Sequence, residues 1–149
     1  MENRQDIARL IDHALLQPNL DAAALEEGCR QAVGWKVASV CILPHAVARA
    51  AAILRSSGVA AGTVVGFPHG ANLTVLKAAE ARRALDDGAQ EIDMVINISQ
   101  AVSGVWRAVH DDIHAVLAEV REQGAKLKVI FETCYLGEAQ KIRLCEMCS

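Results

Sequence analysis

Aromatic residues make up only 3% of the 149-residue sequence. That scarcity argues against a stacking platform for nucleic-acid bases. There is no basic run and the net charge is −3, so neither a nucleic-acid surface nor an anionic-membrane surface is expected, although a small local phosphate site is allowed. No stretch approaches 18 uninterrupted apolar residues, which leaves out a transmembrane helix. The opening MENRQDIARLIDH mixes both charges and has no apolar core, so no secretory signal is expected. Cysteines are few and irregularly spaced: Cys29, Cys41, Cys134, Cys145 and Cys148. With no signal segment, this favours reduced thiols in a cytoplasm. The lone Cys145-x-x-Cys148 is not a zinc site by itself, and a redox pair is wanted at a helix start, so it is read as coincidence.

What is present is a globular composition, 52% hydrophobic and 22% charged, of a length that suggests one domain, residues 1–149. Short β-branched runs alternate with longer Ala-rich helical runs. Strands are expected near Leu10–His13, Val37–Ile42, Gly62–Gly66, Glu91–Ile96 and Leu127–Glu132. Helices are expected near Asp21–Val33, Pro44–Ser57, Leu73–Asp87, Val105–Gln123 and Glu138–Cys148. Gly34, Gly58, Gly88 and Gly124 each follow a helical run, where a left-handed residue is wanted, and Asn19 or Asp21 is placed to cap the first helix. The order helix, glycine, strand recurs four times, the βα repeat of a parallel sheet. Two architectures fit: a complete doubly wound sheet, or the first five units of a (β/α)8 TIM barrel.

Length alone favours the first; polar residues inside the strands favour the second, and foremost among them is Asp93. It stands in EIDMVIN among residues that suit a strand covered on both faces, where an ionised carboxylate costs several kcal/mol unless paired or hydrogen-bonded. By the two-residue period, Asp93 shares a face with Glu91, Val95 and Asn97, and Lys128 shares one with Lys126, Ile130 and Glu132. The opposite faces are apolar and suit helices. The mixed faces then point into a barrel interior, where charged groups can pair, Lys128 with Asp93 or with Glu132.

LIDHALL (10–16), ASVCILP (38–44), VVGFPHGAN (64–72), EIDMVIN (91–97) and LKVIFET (127–133) resemble the successive strand motifs of the deoxyribose-phosphate aldolase family, in that family's order and spacing. The resemblance implies a class I aldolase, a lyase on a TIM barrel that needs neither metal nor other cofactor. It reversibly cleaves 2-deoxy-D-ribose 5-phosphate, in deoxyribose phosphate catabolism, to D-glyceraldehyde 3-phosphate and acetaldehyde through a lysine Schiff base. It places the proton-relay aspartate on Asp93, a supporting acid on Asp12 at the end of the first strand and a substrate-pocket cysteine on Cys41, while Lys128, from its interior position on the fifth strand, is read as an electrostatic partner of Asp93 or Glu132. The implied partners are a sugar phosphate and aldehydes, with no nucleic acid and no membrane, and a homo-oligomer is allowed. Bland roles stand beside these: an ion pair for Asp93 and Lys128, a strand cap for Asp12, a small buried hydrophobe for Cys41. His13 and His45 are read as structural or exposed.

The pattern is also departed from. Where the family usually has threonine two residues after the first acid, this sequence has Ala14. The family's nucleophilic lysine lies on a sixth strand in a motif resembling VKTSTG, and none of Lys36, Lys77, Lys126, Lys128 and Lys141 sits in such a motif. The 149 residues alone are therefore expected to be inactive. GFPHG (66–70) lacks phosphate-loop spacing and is read as a tight strand-to-helix turn. The rival reading is a non-catalytic five-stranded protein that binds a small phosphate ester or a partner chain.

Overall fold

The computed structural model describes residues 3–149. After a short helix α1 (Arg4–Ala8), strands β1 (Asp12–Leu15), β2 (Ser39–Ile42), β3 (Ala60–Val65), β4 (Glu91–Val95) and β5 (Lys126–Ile130) alternate with helices. These are α2 (Ala22–Trp35), α3 (Val47–Leu54, entered through a 3-10 turn at Pro44–Ala46), α4 (Thr74–Asp86), α5 (Ile98–Val102), α6 (Trp106–Glu122) and α7 (Glu138–Cys148). The strands follow one another in the sheet in chain order. β2 lies between β1 and β3, parallel to both. A flavodoxin-like doubly wound sheet would put β1 between them, so the observed order is that of a βα barrel.

The chain divides into two compact units: residues through Val64 together with Ala84–Glu91, and Val65–Arg83 together with Ile92–Ser149. In the first, β2 is buried along its whole length. Leu25, Gly28, Cys29 and Ala32 form the buried stripe of α2, spaced as one face of a helix requires. A β-carbon at Gly28 would fall 2.6 Å from the Leu15 side chain, so a larger residue there would require Leu15 to shift. In the second unit, Val109, Ile113, Val116 and Val120 make the same kind of stripe on α6, and Ile92, Met94, Val95 and Ile96 have no exposure at all. Each such Val, Leu or Ile side chain contributes roughly 1.5–3 kcal/mol by leaving water.

Several expectations need correction. β1 begins two residues later than expected, because Leu10 and Ile11 are exposed and follow α1, which the sequence pattern did not suggest. Asp12 therefore opens its strand and does not close it. Asp21, not Asn19, caps α2 by accepting the Ala24 N–H at 2.8 Å. The helix runs through Gly34, and Lys36 takes the left-handed conformation (φ 55°). Gly58, Gly88 and Gly124 do adopt positive φ after their helices. α5, capped by the Asn97 side chain at 3.1 Å, was not foreseen either.

Candidate active site

In the second unit, β4 and β5 bring two of the four expected site residues together. Asp93 is 9% exposed and Lys128 Nζ lies 3.0 Å from its Oδ1. The expected pairing between strands is therefore with Asp93. Glu132, the other candidate partner, stands past the end of β5 with left-handed backbone (φ 54°) and accepts the Cys134 S–H at 3.4 Å. The pair is unevenly wetted: the Lys128 side chain is 42% exposed and that of Asp93 12%. The nearly buried carboxylate thus faces an ammonium that reaches water, an arrangement that could serve general acid–base work.

The backbone around Asp93 is held firmly. The peptide joining Val95 to Ile96 has both polar atoms engaged: the Ile96 N–H donates to Ile130 O at 3.1 Å, and Val95 O accepts from Lys77 Nζ at 2.9 Å. Lys77 is wholly buried and pairs with Asp112 Oδ2 at 2.5 Å, while Thr74 Oγ1 donates to Asp112 Oδ1 at 2.9 Å. Neither Lys77 nor Asp112 belongs to a motif in the sequence. The turn Gly66–Gly70 is closed by the Gly70 N–H on Gly66 O at 2.7 Å, and Glu80 Oε2 accepts the Gly66 N–H at 2.9 Å. A β-carbon at Gly70 would sit 1.7 Å from Ile96 O, and one at Gly66 would sit 2.8 Å from Lys77 Cε. Both glycines have positive φ, so the expected tight turn is present and is packed against the end of β4 and the stem of Lys77.

In the first unit, Asp12 is exposed, and its Oδ1 accepts from Ser39 Oγ at 2.8 Å. Ser39 is buried and stands opposite Asp12 in the parallel register, as Cys41 stands opposite Ala14. Asp12, Ala14, Ser39 and Cys41 thus share one face. Ser39 could have been found by sequence, since it keeps the two-residue period with Cys41 in ASVCILP. Cys41 is 4% exposed. His13 packs edge-on to Trp35, with ring centroids 5.5 Å apart, and His45 is exposed. Cys145 and Cys148 lie at the end of α7, not its start. Among the described residues, no three His, Cys, Asp or Glu side chains converge on a metal-sized site, and no helix is long and apolar enough to cross a membrane.

Comparison with known proteins shows the family of the chain. The family model for DeoC/LacD family aldolases matches residues 7–142. The chain is 49% identical over 144 residues to the deoxyribose-phosphate aldolase of Rhodopirellula baltica, covering 97% of this chain and 60% of that protein. Among solved structures, a candidate deoxyribose-phosphate aldolase from Coccidioides immitis superposes with a TM-score of 0.94 at 34% identity, over 99% of this chain and 58% of that one. A tetrameric deoxyribose phosphate aldolase from Aeropyrum pernix superposes with a TM-score of 0.90 at 25% identity, over 97% of this chain and 60% of that one. The chain therefore spans about 60% of the length of the relatives it matches, and its five βα units are part of a (β/α)8 barrel. With the family model covering nearly all of it, the chain belongs to the DeoC/LacD family of aldolases.

Proposed function

We propose that the full-length protein carrying this chain is a deoxyribose-phosphate aldolase, reversibly cleaving 2-deoxy-D-ribose 5-phosphate to D-glyceraldehyde 3-phosphate and acetaldehyde. Residues 1–149 are one part of a single barrel domain. The observation that carries the reading is the Asp93–Lys128 pair, 3.0 Å across two strands, in a chain 49% identical to such an enzyme.

In this reading a lysine amine outside the 149 residues condenses with the open-chain sugar aldehyde, releasing water and forming an imine at C1. The C2–C3 bond breaks as the C3 hydroxyl gives up its proton, and its electrons pass into the enamine. Asp93, paired with Lys128 and working through a bound water, returns a proton to C2 before hydrolysis frees acetaldehyde. Asp12 supports the relay and Cys41 lines the substrate pocket, the roles that the family resemblance gives them. The reaction uses no metal or cofactor, and the protein works in the cytoplasm as a homo-oligomer. Borohydride reduction with the sugar phosphate should trap a stable adduct on a lysine of the full-length protein and leave the mass of the 149-residue chain unchanged. An adduct on Lys128 would move the nucleophile into this chain and overturn the assignment.

A further inference from the structure

Lys77 takes no part in that mechanism, yet it is the largest side chain with no exposure among the described residues. Burying an ammonium costs several kcal/mol unless excellent geometry offsets it. Here Asp112, itself supported by Thr74, supplies the counter-charge. A purely structural need would be met as well by apolar side chains of the same volume. What an apolar side chain cannot do is hold Val95 O. That carbonyl belongs to the second residue after Asp93, and the other end of the same peptide is bonded to Ile130 O. Rotation of the peptide would swing the C-terminal half of β4 and carry the Asp93 carboxylate relative to Lys128. The stem of Lys77 also fills the space that a β-carbon at Gly66 would need, so the turn after β3 rests on the same side chain.

We propose that Lys77, held by Asp112 and Thr74, is a positioning residue that fixes the end of β4 and so sets the Asp93 carboxylate against Lys128. The inference rests on the aldolase reading above for its effect on turnover, but not for its effect on Asp93. A lost contact that displaces a reacting group by about 1 Å can cost on the order of 100-fold in rate.

The test uses the full-length protein with Lys77→Met and Asp112→Leu made together, so that no charge is left buried alone. The double variant should fold, lose about 10- to 100-fold in kcat with KM changed by less than about 3-fold, and show a displaced titration midpoint for the 13C-labelled Asp93 carboxyl. A folded double variant with kcat within about 2-fold of the parent and an unmoved Asp93 midpoint overturns the proposal. If the double variant does not fold, Thr74→Val, which removes only the hydroxyl on Asp112, takes its place. It should move the Asp93 midpoint and lower kcat about 3-fold, and no change in either overturns the proposal. An inactive parent protein would defeat the aldolase reading, while the Asp93 midpoint would still decide the positioning role.

Discussion

Two lysine–aspartate pairs stand a few residues apart along β4 and differ mainly in water. Lys77–Asp112 is dry, with side-chain exposures of 0% and 3%, whereas Lys128–Asp93 is half wet, at 42% and 12%. A dry pair at 2.5 Å is held in place: removing either partner would leave the other buried without its counter-charge. A half-wet pair keeps one partner in water, which in the proposed reading gives protons a route to the carboxylate. In that reading, one kind of contact therefore serves two ends, geometry in the first case and chemistry in the second.

The largest effect should come from breaking the dry pair on one side only. Lys77→Met in the full-length protein leaves Asp112 buried and uncompensated, and should cost about 3–5 kcal/mol in urea unfolding. A cost below about 1 kcal/mol would place the pair with surface contacts and erase the contrast. Next comes the wet pair. Asp93→Asn keeps shape but not charge, and should lower kcat at least about 100-fold with the fold intact. Near-normal turnover would reduce Asp93 to an ion-pair residue.

A third pair extends the series toward water. The Arg82 guanidinium donates to both Glu119 oxygens at 2.8 and 2.6 Å, with the arginine side chain 66% exposed. These hydrogen bonds from Arg82 hold the Glu119 carboxyl below the usual glutamate range, against a smaller opposing effect of burial. A carboxyl lowered in the folded state stabilises above its unfolded value and loses that contribution as pH falls through its folded value. Arg82→Gln should therefore cost less than about 1 kcal/mol at neutral pH, and the difference from the parent should vanish on acidification. A difference that grew toward low pH would reverse the sign of the argument.

Much of this was legible in the sequence, for physical reasons. Asp93 stands out because, past Glu91 at its start, β4 is otherwise apolar, and a charge inside a strand covered on both faces must be paired or hydrogen-bonded. Lys128 was narrowed to two partners by the two-residue period, and the structure shows the 3.0 Å contact with Asp93. Lys77 was not legible. In LKAAEARRAL it looks like an ordinary surface lysine, whose long stem could carry its charge to water, and its partner is 35 residues away. Asp112 did leave a trace: it lies three residues after Val109 and four before Val116, inside the buried stripe of α6. The short helices α1 and α5, five residues each, are too brief to show a helical period. The start of β1 was missed because Leu10 and Ile11 look like core residues but are exposed.

Gly70 carries a last consequence, for how this protein can change over generations. The space its β-carbon would occupy is filled by the Ile96 carbonyl oxygen, 1.7 Å away, and every other amino acid brings that carbon. A variant at residue 70 is thus obliged to displace the backbone just past β4, and with it the acid three residues earlier. Loop and strand form one heritable unit, and a lineage could remodel the turn only by altering the carboxylate's setting in the same step.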